Sequence, residues 1–252
     1  MPVLGVIPAR LGSTRLARKP LQLLGGRPLI VRVWERTLEF KVAATVVVAT
    51  DSPEIQAVVA RAGGHAVMTS SFHETGTERV AEIARRPEFA GYDVVLNVQG
   101  DEPFLPKAAA VGALGQLAAG ADVGTAAVPI AWEEATDPSR VKVVMDRDGR
   151  ALYFSRSRIP FRRDDDEGPA GEWWQHLGVY SYRAGALARW VAGEATLLER
   201  VERLEQLRAL DLGLTIGVTR LRESAPAGID TEDDLARAER DWPAFATGER
   251  TR

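Results

Sequence analysis

The sequence predicts an α/β protein: a mostly parallel central sheet carrying an inserted, partly antiparallel subdomain at about residues 130–190. Three observations lead there. Short apolar runs alternate with helical patterns through the first half, the rhythm of parallel βαβ units with right-handed crossovers. The second half changes character, with two β-branched or aromatic runs flanking a turn-rich tetrapeptide, the pattern of a β-hairpin. No internal repeat runs along the chain, so residues 1–252 read as one domain with an insertion.

The elements follow in order. Val3 to Ile7 is an apolar run ended by Pro8, as in a strand buried on both faces. Leu29 to Phe40 has apolar side chains at helical spacing, with Pro28 suited to a first turn. Thr45 to Ala49 is a second strand, and Ser52 ahead of Pro53 and Glu54 starts a helix that runs to Gly63-Gly64. Ala66 to Met68 is a short strand, Glu78 to Arg86 a helical stretch, and Val94 to Val98 a stronger strand. Val141 to Met145 and Ala151 to Phe154 flank Asp146-Arg147-Asp148-Gly149 as the hairpin, and Leu177 to Tyr182 is a further strand. Leu197 to Leu210 reads as one amphipathic helix, Thr215 to Thr219 as a late strand, and Thr231 to Glu239 as a last helix capped by Asp230 or Thr231. Arg162 to Gly171, charged and punctuated by Pro and Gly, reads as an exposed, mobile loop.

Composition narrows the function. A chain of 252 residues with 45% hydrophobic residues can bury a sizeable core without staples. The absence of cysteine removes disulfides, thiolate metal sites and a Cys nucleophile together. With 32 Lys+Arg against 35 Asp+Glu the net charge is −3, unlike a dedicated nucleic-acid binder, and no aromatic stacking pattern accompanies the basic residues. No apolar run reaches the ~20 residues of a membrane span, and no signal-peptide pattern opens the chain. The expectation is a soluble cytoplasmic protein without nucleic-acid or membrane partners.

In parallel sheets ligands bind beyond the carboxyl ends of the strands. After the first strand comes a loop holding Arg10, Arg15, Arg18 and Lys19 around Gly12-Ser13-Thr14. Cations and closely approachable backbone N–H groups are what a nucleoside triphosphate needs. Such a run also describes a solvated surface; its place at a strand's end favours phosphate. Neither G-x-x-x-x-G-K-[ST] nor G-x-G-x-x-G is present, against a P-loop NTPase and an NAD-dependent oxidoreductase. After the Val94–Val98 strand, Gln99-Gly100-Asp101-Glu102-Pro103 places Asp101 past a Gly that lets backbone approach a ligand. Asp101 could hold Mg²⁺, or could be a turn residue. Asp230 has the same two readings, metal ligand or helix cap. His65, His73 and His176 are scattered without metal-ligand spacing, and no G-x-S-x-G elbow occurs.

IPARLGSTRLARKPL, VVATD, GTERVAEI, VVLNVQGDEP, VKVVMDRDGRALYFSR, HLGVYSYRAG, LERVERLEQLRAL and GIDTEDDL stand in that order from residue 3 to about residue 240. This series resembles the 3-deoxy-manno-octulosonate (Kdo) cytidylyltransferase family, the CMP-Kdo synthetases. The resemblance implies a nucleotide-diphospho-sugar transferase-like fold whose subdomain supports a homodimer. It also implies transfer of CMP from CTP to Kdo with Mg²⁺, releasing pyrophosphate, for lipopolysaccharide biosynthesis. Carried over by position, Ala9, Arg10, Ser13, Arg15 and Lys19 line the triphosphate loop, and Arg79 and Gln99 lie near cytidine and sugar. Asp101 and Asp230 hold the metal, with Arg15 and Lys19 completing the catalytic set. Arg156, His176, Tyr180, Glu205 and Gln206 form the sugar pocket, Arg or His donating to the Kdo carboxylate. The chain departs from the family where Leu-Pro-Gly-Lys-Pro-Leu is frequent: it has Leu16-Ala17-Arg18-Lys19-Pro20-Leu21. Another acidic sugar, such as a nonulosonic acid or an amino-Kdo, is the nearest competing substrate. A catalytically silent nucleotide sensor is the competing class, disfavoured because Lys19, Asp101 and Asp230 are all retained.

Overall fold

Val3–Ala9 form strand β1, two residues longer than the apolar run suggests. β6 pairs with β1 only as far as Val6, so Pro8 lies where β4 alone is beside it and its missing N–H is tolerated. The computed structural model describes residues 2–12, 15–163, 173–223, 225–226 and 228–247. They fall into two units, Met1–Leu105 with Pro226–Arg252, and Pro106–Ala225.

In the first unit β1 is followed by the two-residue strands β2 (Leu23–Leu24) and β3 (Arg27–Pro28), which pair antiparallel. Helix α1 (Leu29–Glu39) buries Leu29, Ile30, Val33 and Thr37 along one stripe, with Val31 buried outside it. Strand β4 (Thr45–Thr50), helix α2 (Pro53–Arg61), strand β5 (His65–Met68), helix α3 (Gly76–Ala84) and strand β6 (Val94–Val98) complete the alternation. β6, β1, β4 and β5 lie in that order, all parallel. Ser52 caps α2 through Ile55 N, and Thr75 with Glu78 forms a capping box on α3. The strands therefore end together at Ala9, Thr50, Met68 and Val98, the edge at which ligands gather.

The second unit begins with helix α4 (Lys107–Ala118) and strand β7 (Val123–Ile130), neither of which sequence periodicity revealed. α4 is almost all Ala, Gly and Leu, so no polar face betrays its period. Its fit depends on glycine: a Cβ on Gly124 of β7 would lie 1.9 Å from the Ala113 carbonyl oxygen. Strands β8 (Lys142–Met145) and β9 (Ala151–Ser155) form the expected hairpin, with Asp146 N donating to Arg150 O at 2.9 Å. Strand β10 runs Trp173–Arg183, four residues earlier than read, with a register shift between His176 and Tyr180 against β7. β7 pairs antiparallel with β10 and parallel with β11 (Ile216–Arg220). Helix α5 (Ala184–Ala192), also unread, follows β10.

Two expectations need correction. Leu197 to Leu210 is not one helix: α6 (Leu197–Glu202) and α7 (Gln206–Asp211) are separated by Arg203 at φ 53°. The Arg156 guanidinium draws off the Glu202 and Arg203 carbonyls at 2.8 and 3.4 Å, which breaks the helical ladder there. The last helix, α8, runs Glu232–Ala246, well beyond Glu239 and through Pro243. It is held in the first unit by Phe245, edge-on to Phe104 at 4.9 Å. The charged loop expected to be exposed lies, for residues 164–171, outside the described residues.

Candidate active site

Lys19 stands at the centre of the first unit's site. Arg18 ahead of it adopts a left-handed backbone at φ 52°, where the related loops more often have Gly. A short turn of 3₁₀ helix, Lys19–Leu21, is pinned by buried Pro20, and Gln22 Nε2 donates to Ala17 O at 2.8 Å. The loop thus keeps its turn without glycine. Lys19 Nζ donates to Asp101 Oδ2 at 2.6 Å and to Asp230 Oδ1 at 2.9 Å. Arg15 Nη2 reaches Asp230 Oδ2 at 3.0 Å. Burial opposes the Lys19 charge, yet attraction to Asp101 and Asp230 outweighs it and holds the ammonium above the ordinary lysine value.

The two aspartates are brought together by backbone. Ile229 N donates to Asp101 O at 2.9 Å. Gly228 permits this approach, since a Cβ there would lie 3.3 Å from both Asp101 O and Glu102 Oε1. Thr231, not Asp230, caps α8: its Oγ1 accepts from Asp234 N at 3.2 Å. Asp230 is therefore turned to the cations. Gly100 also acts otherwise than expected, because the space of its missing Cβ is taken by Pro8 O at 2.8 Å and not by a ligand.

Arg10 Nη1 donates to Glu74 O at 3.1 Å, tying the loop after β1 to the loop before α3. Ala9 is the buried last residue of β1. Gln99 follows β6, its Oε1 3.6 Å from where a Gly76 Cβ would stand. Arg79 is buried, with Nη2 2.9 Å from Asp51 Oδ2 and Nη1 donating to Thr69 Oγ1 and Ser70 O, so its guanidinium clamps the ends of β4 and β5. Asp51, Thr69 and the His73–Glu82 contact at 2.7 Å escaped the sequence reading. Ser13 lies outside the described residues.

The sugar-pocket candidates all belong to the second unit. His176 Nε2 is 2.9 Å from Thr125 Oγ1, whose one proton goes to Val179 O at 2.6 Å. Nε2 therefore carries the ring hydrogen and Nδ1 is left as an acceptor. Burial pushes His176 down to about 3, so the ring is neutral and offers no charged donor to a carboxylate. Tyr180 stacks on Tyr182 at 5.9 Å, and burial raises its phenol well above the usual range, with Tyr182 and Glu205 adding to the rise. Arg156 gives Nε, Nη1 and Nη2 to the carbonyls of Glu202, Pro138 and Arg203. Glu205 precedes α7 and Gln206, buried, begins it.

Among the described residues no cluster of three His, Cys, Asp or Glu side chains forms a metal cage. Two carboxylates that already share one cation nevertheless suit Mg²⁺, which takes one or two protein carboxylates and completes its shell with phosphate oxygens and water. Mg²⁺ fits Asp101 and Asp230 on that ground.

Residues 4–216 match the cytidylyltransferase family. A 3-deoxy-manno-octulosonate cytidylyltransferase from Gemmatimonas aurantiaca is 54% identical over 96% of this chain and 95% of its own. The enzyme of that name from Xanthomonas oryzae pv. oryzae is 47% identical over 92% and 93%. A CMP:2-keto-3-deoxy-manno-octonic acid synthetase solved in complex with CTP superposes with TM-score 0.88 at 35% identity, over 97% of this chain and all of that one. A 4-diphosphocytidyl-2C-methyl-D-erythritol synthase from Anaerococcus prevotii, at TM-score 0.60 and 14% identity over 96% and 98%, shares the fold alone. The chain is a nucleotidyltransferase and belongs to the 3-deoxy-manno-octulosonate cytidylyltransferase family.

Proposed function

We infer that the chain transfers CMP from CTP to the anomeric hydroxyl of Kdo, yielding CMP-Kdo and pyrophosphate. The observation that carries this reading is the meeting of Asp101 and Asp230 at one cation beside the Arg10–Lys19 loop. The hydroxyl oxygen, giving up its proton to solvent, forms a bond to the α-phosphorus while the bond from that phosphorus to the bridging oxygen breaks, and pyrophosphate leaves with the electron pair. Arg15 and Lys19 stabilise the charge that grows on pyrophosphate. Asp101 and Asp230 would hold Mg²⁺, which when bound screens the phosphate charge and makes the sugar hydroxyl easier to deprotonate. Arg79 orders the ends of β4 and β5, and Gln99 presents a side-chain amide at the same edge of the sheet. In the second unit, neutral His176 accepts at Nδ1, and Tyr180, Glu205 and Gln206 supply further groups to the sugar hydroxyls.

The same reading makes the chain a cytoplasmic homodimer serving lipopolysaccharide biosynthesis. Exposed Leu152, Phe161, Leu197, Leu198 and Val201, all in the second unit, supply apolar surface that a second copy would cover. No helix among the described residues is long and apolar enough to cross a membrane.

Pyrophosphate release measured with CTP, ATP, UTP and GTP, each with and without Kdo, tests the reaction. Release that needs both CTP and Kdo supports it. Faster release with a nonulosonic acid or amino-Kdo would reassign the sugar, and release with ATP alone would overturn the nucleotide.

A further inference from the structure

Lys142 is the first residue of β8, and its side chain is fully buried. Its ammonium donates to the carbonyls of Asp137 at 2.8 Å, Arg140 at 2.5 Å and Arg156 at 2.7 Å. An ammonium has three N–H donors, and here each has a backbone acceptor. No catalytic step uses this group, and burying an amine on three carbonyls is costly unless the arrangement itself serves something.

Its three acceptors are not random. Arg140 donates from Nη1 to Gln175 Oε1 at 2.6 Å, next to His176 on β10. Arg156 grips Pro138 O at 3.0 Å on one side and Glu202 O and Arg203 O on the other. The Glu202 carboxylate returns to the same point, accepting Ser155 Oγ at 2.6 Å and Arg156 N at 2.9 Å. Lys142 and Arg156 thus tie together the turn 137–140, the end of β9 and the α6–α7 break. That break sets where Glu205 and Gln206 begin α7.

We propose that Lys142 is a positioning residue for the sugar acid: through Arg156 it fixes the α6–α7 junction, and so the placement of Glu205 and Gln206. This rests on the cytidylyltransferase reading and on those two residues facing the sugar. The charged groups around the amine are Asp137 and Arg140 of the turn, Arg156 at the end of β9, and Glu202 of α6. Burial pulls Lys142 down to about 8, the neighbouring Arg156 and Arg140 acting in the same sense and Asp137 and Glu202 against it. A neutral amine has two donors for three carbonyls, so the brace loosens as pH rises through that value.

The test compares wild type with Lys142→Met and Lys142→Arg by steady-state kinetics and amide hydrogen exchange. In Lys142→Met, KM for the sugar acid is expected to rise at least tenfold while KM for CTP stays within about twofold; Lys142→Arg recovers part of the loss. Wild-type KM for the sugar climbs above about pH 8, and this limb is absent from Lys142→Met. Protection at residues 202–206 and 155–158 falls in Lys142→Met, with β1 and β6 unchanged. An equal rise in both KM values, or unaltered protection at 202–206, overturns the proposal. Should Lys142→Met fail to fold, wild type at pH 7 and pH 9, corrected for intrinsic exchange, decides by the same segment: unchanged protection there overturns it. If no sugar acid supports pyrophosphate release, the substrate reading fails, and exchange at 202–206 still judges Lys142.

Discussion

Asp101 and Asp230 meet at the Lys19 ammonium, 2.6 and 2.9 Å from their nearest oxygens. One aspartate follows a strand of the parallel sheet and the other precedes the last helix. The Ile229 N–H to Asp101 carbonyl bond, with glycine at 228, brings those segments close, and Lys19 bridges them. The ammonium keeps the two carboxylates from facing each other unscreened. The raised pKa of Lys19 has a definite sign: its contribution to stability is complete below the ordinary lysine value and is lost only as pH rises through the higher folded one. Lys19 therefore holds its proton more firmly than a free lysine.

Arg18 carries a left-handed backbone that an L side chain adopts at a cost, and its ion pair with Glu54 is exposed and contributes little. Arg18→Gly is expected to raise Tm by about 2–4 °C with turnover retained. Differential scanning calorimetry checks this; a lower Tm would show that the Arg18 side chain matters more than its backbone.

Gly100 has no room for a methyl group, because the Pro8 carbonyl stands 2.8 Å from the Cβ position. Gly100→Ala must push β1 and the turn bearing Asp101 apart. Expected are a loss of about 1–3 kcal/mol in urea unfolding and at least a tenfold fall in kcat/KM for CTP. Gly12→Ala, with nothing within 4 Å of its Cβ position, is the control and leaves stability unchanged.

His176 has a folded pKa of about 3 against an ordinary 6.5. The unfolded chain takes up this proton first, so the stability His176 contributes is complete above the ordinary value and is lost as pH falls towards the folded one. Between about pH 7 and about pH 4.5, wild type should lose about 2 kcal/mol more than His176→Gln. Urea unfolding at both pH values measures the difference. Equal losses would mean that the ring is charged in the folded protein.

Much of this was legible in the sequence, for physical reasons that differ along the chain. β1, β4 and β6 are short β-branched or apolar runs with clear stops, and the loop cations and Asp101 sit directly beyond those stops. α4 stayed hidden because Ala and Gly on all its faces leave no period, although Gly112 and Gly124 exist to let it touch the strands. The break in Leu197 to Leu210 was invisible because its cause, Arg156, lies far away along the chain. Lys142 was read only as a strand residue, since no pattern of neighbours announces carbonyls converging from the turn 137–140 and from the end of β9. Asp230 could be read as cap or ligand because both need a short carboxylate at a helix start; the cap falls to Thr231.

The measurement that bears most directly on the carboxylate pair is kcat for pyrophosphate release from CTP and Kdo at saturating Mg²⁺, in wild type, Asp101→Asn and Asp230→Asn. Each variant keeps the side chain's shape and removes one negative charge. A fall of roughly 10³-fold in either, with Tm within a few degrees of wild type, is the predicted result. Near-normal kcat in Asp101→Asn or Asp230→Asn would contradict the account.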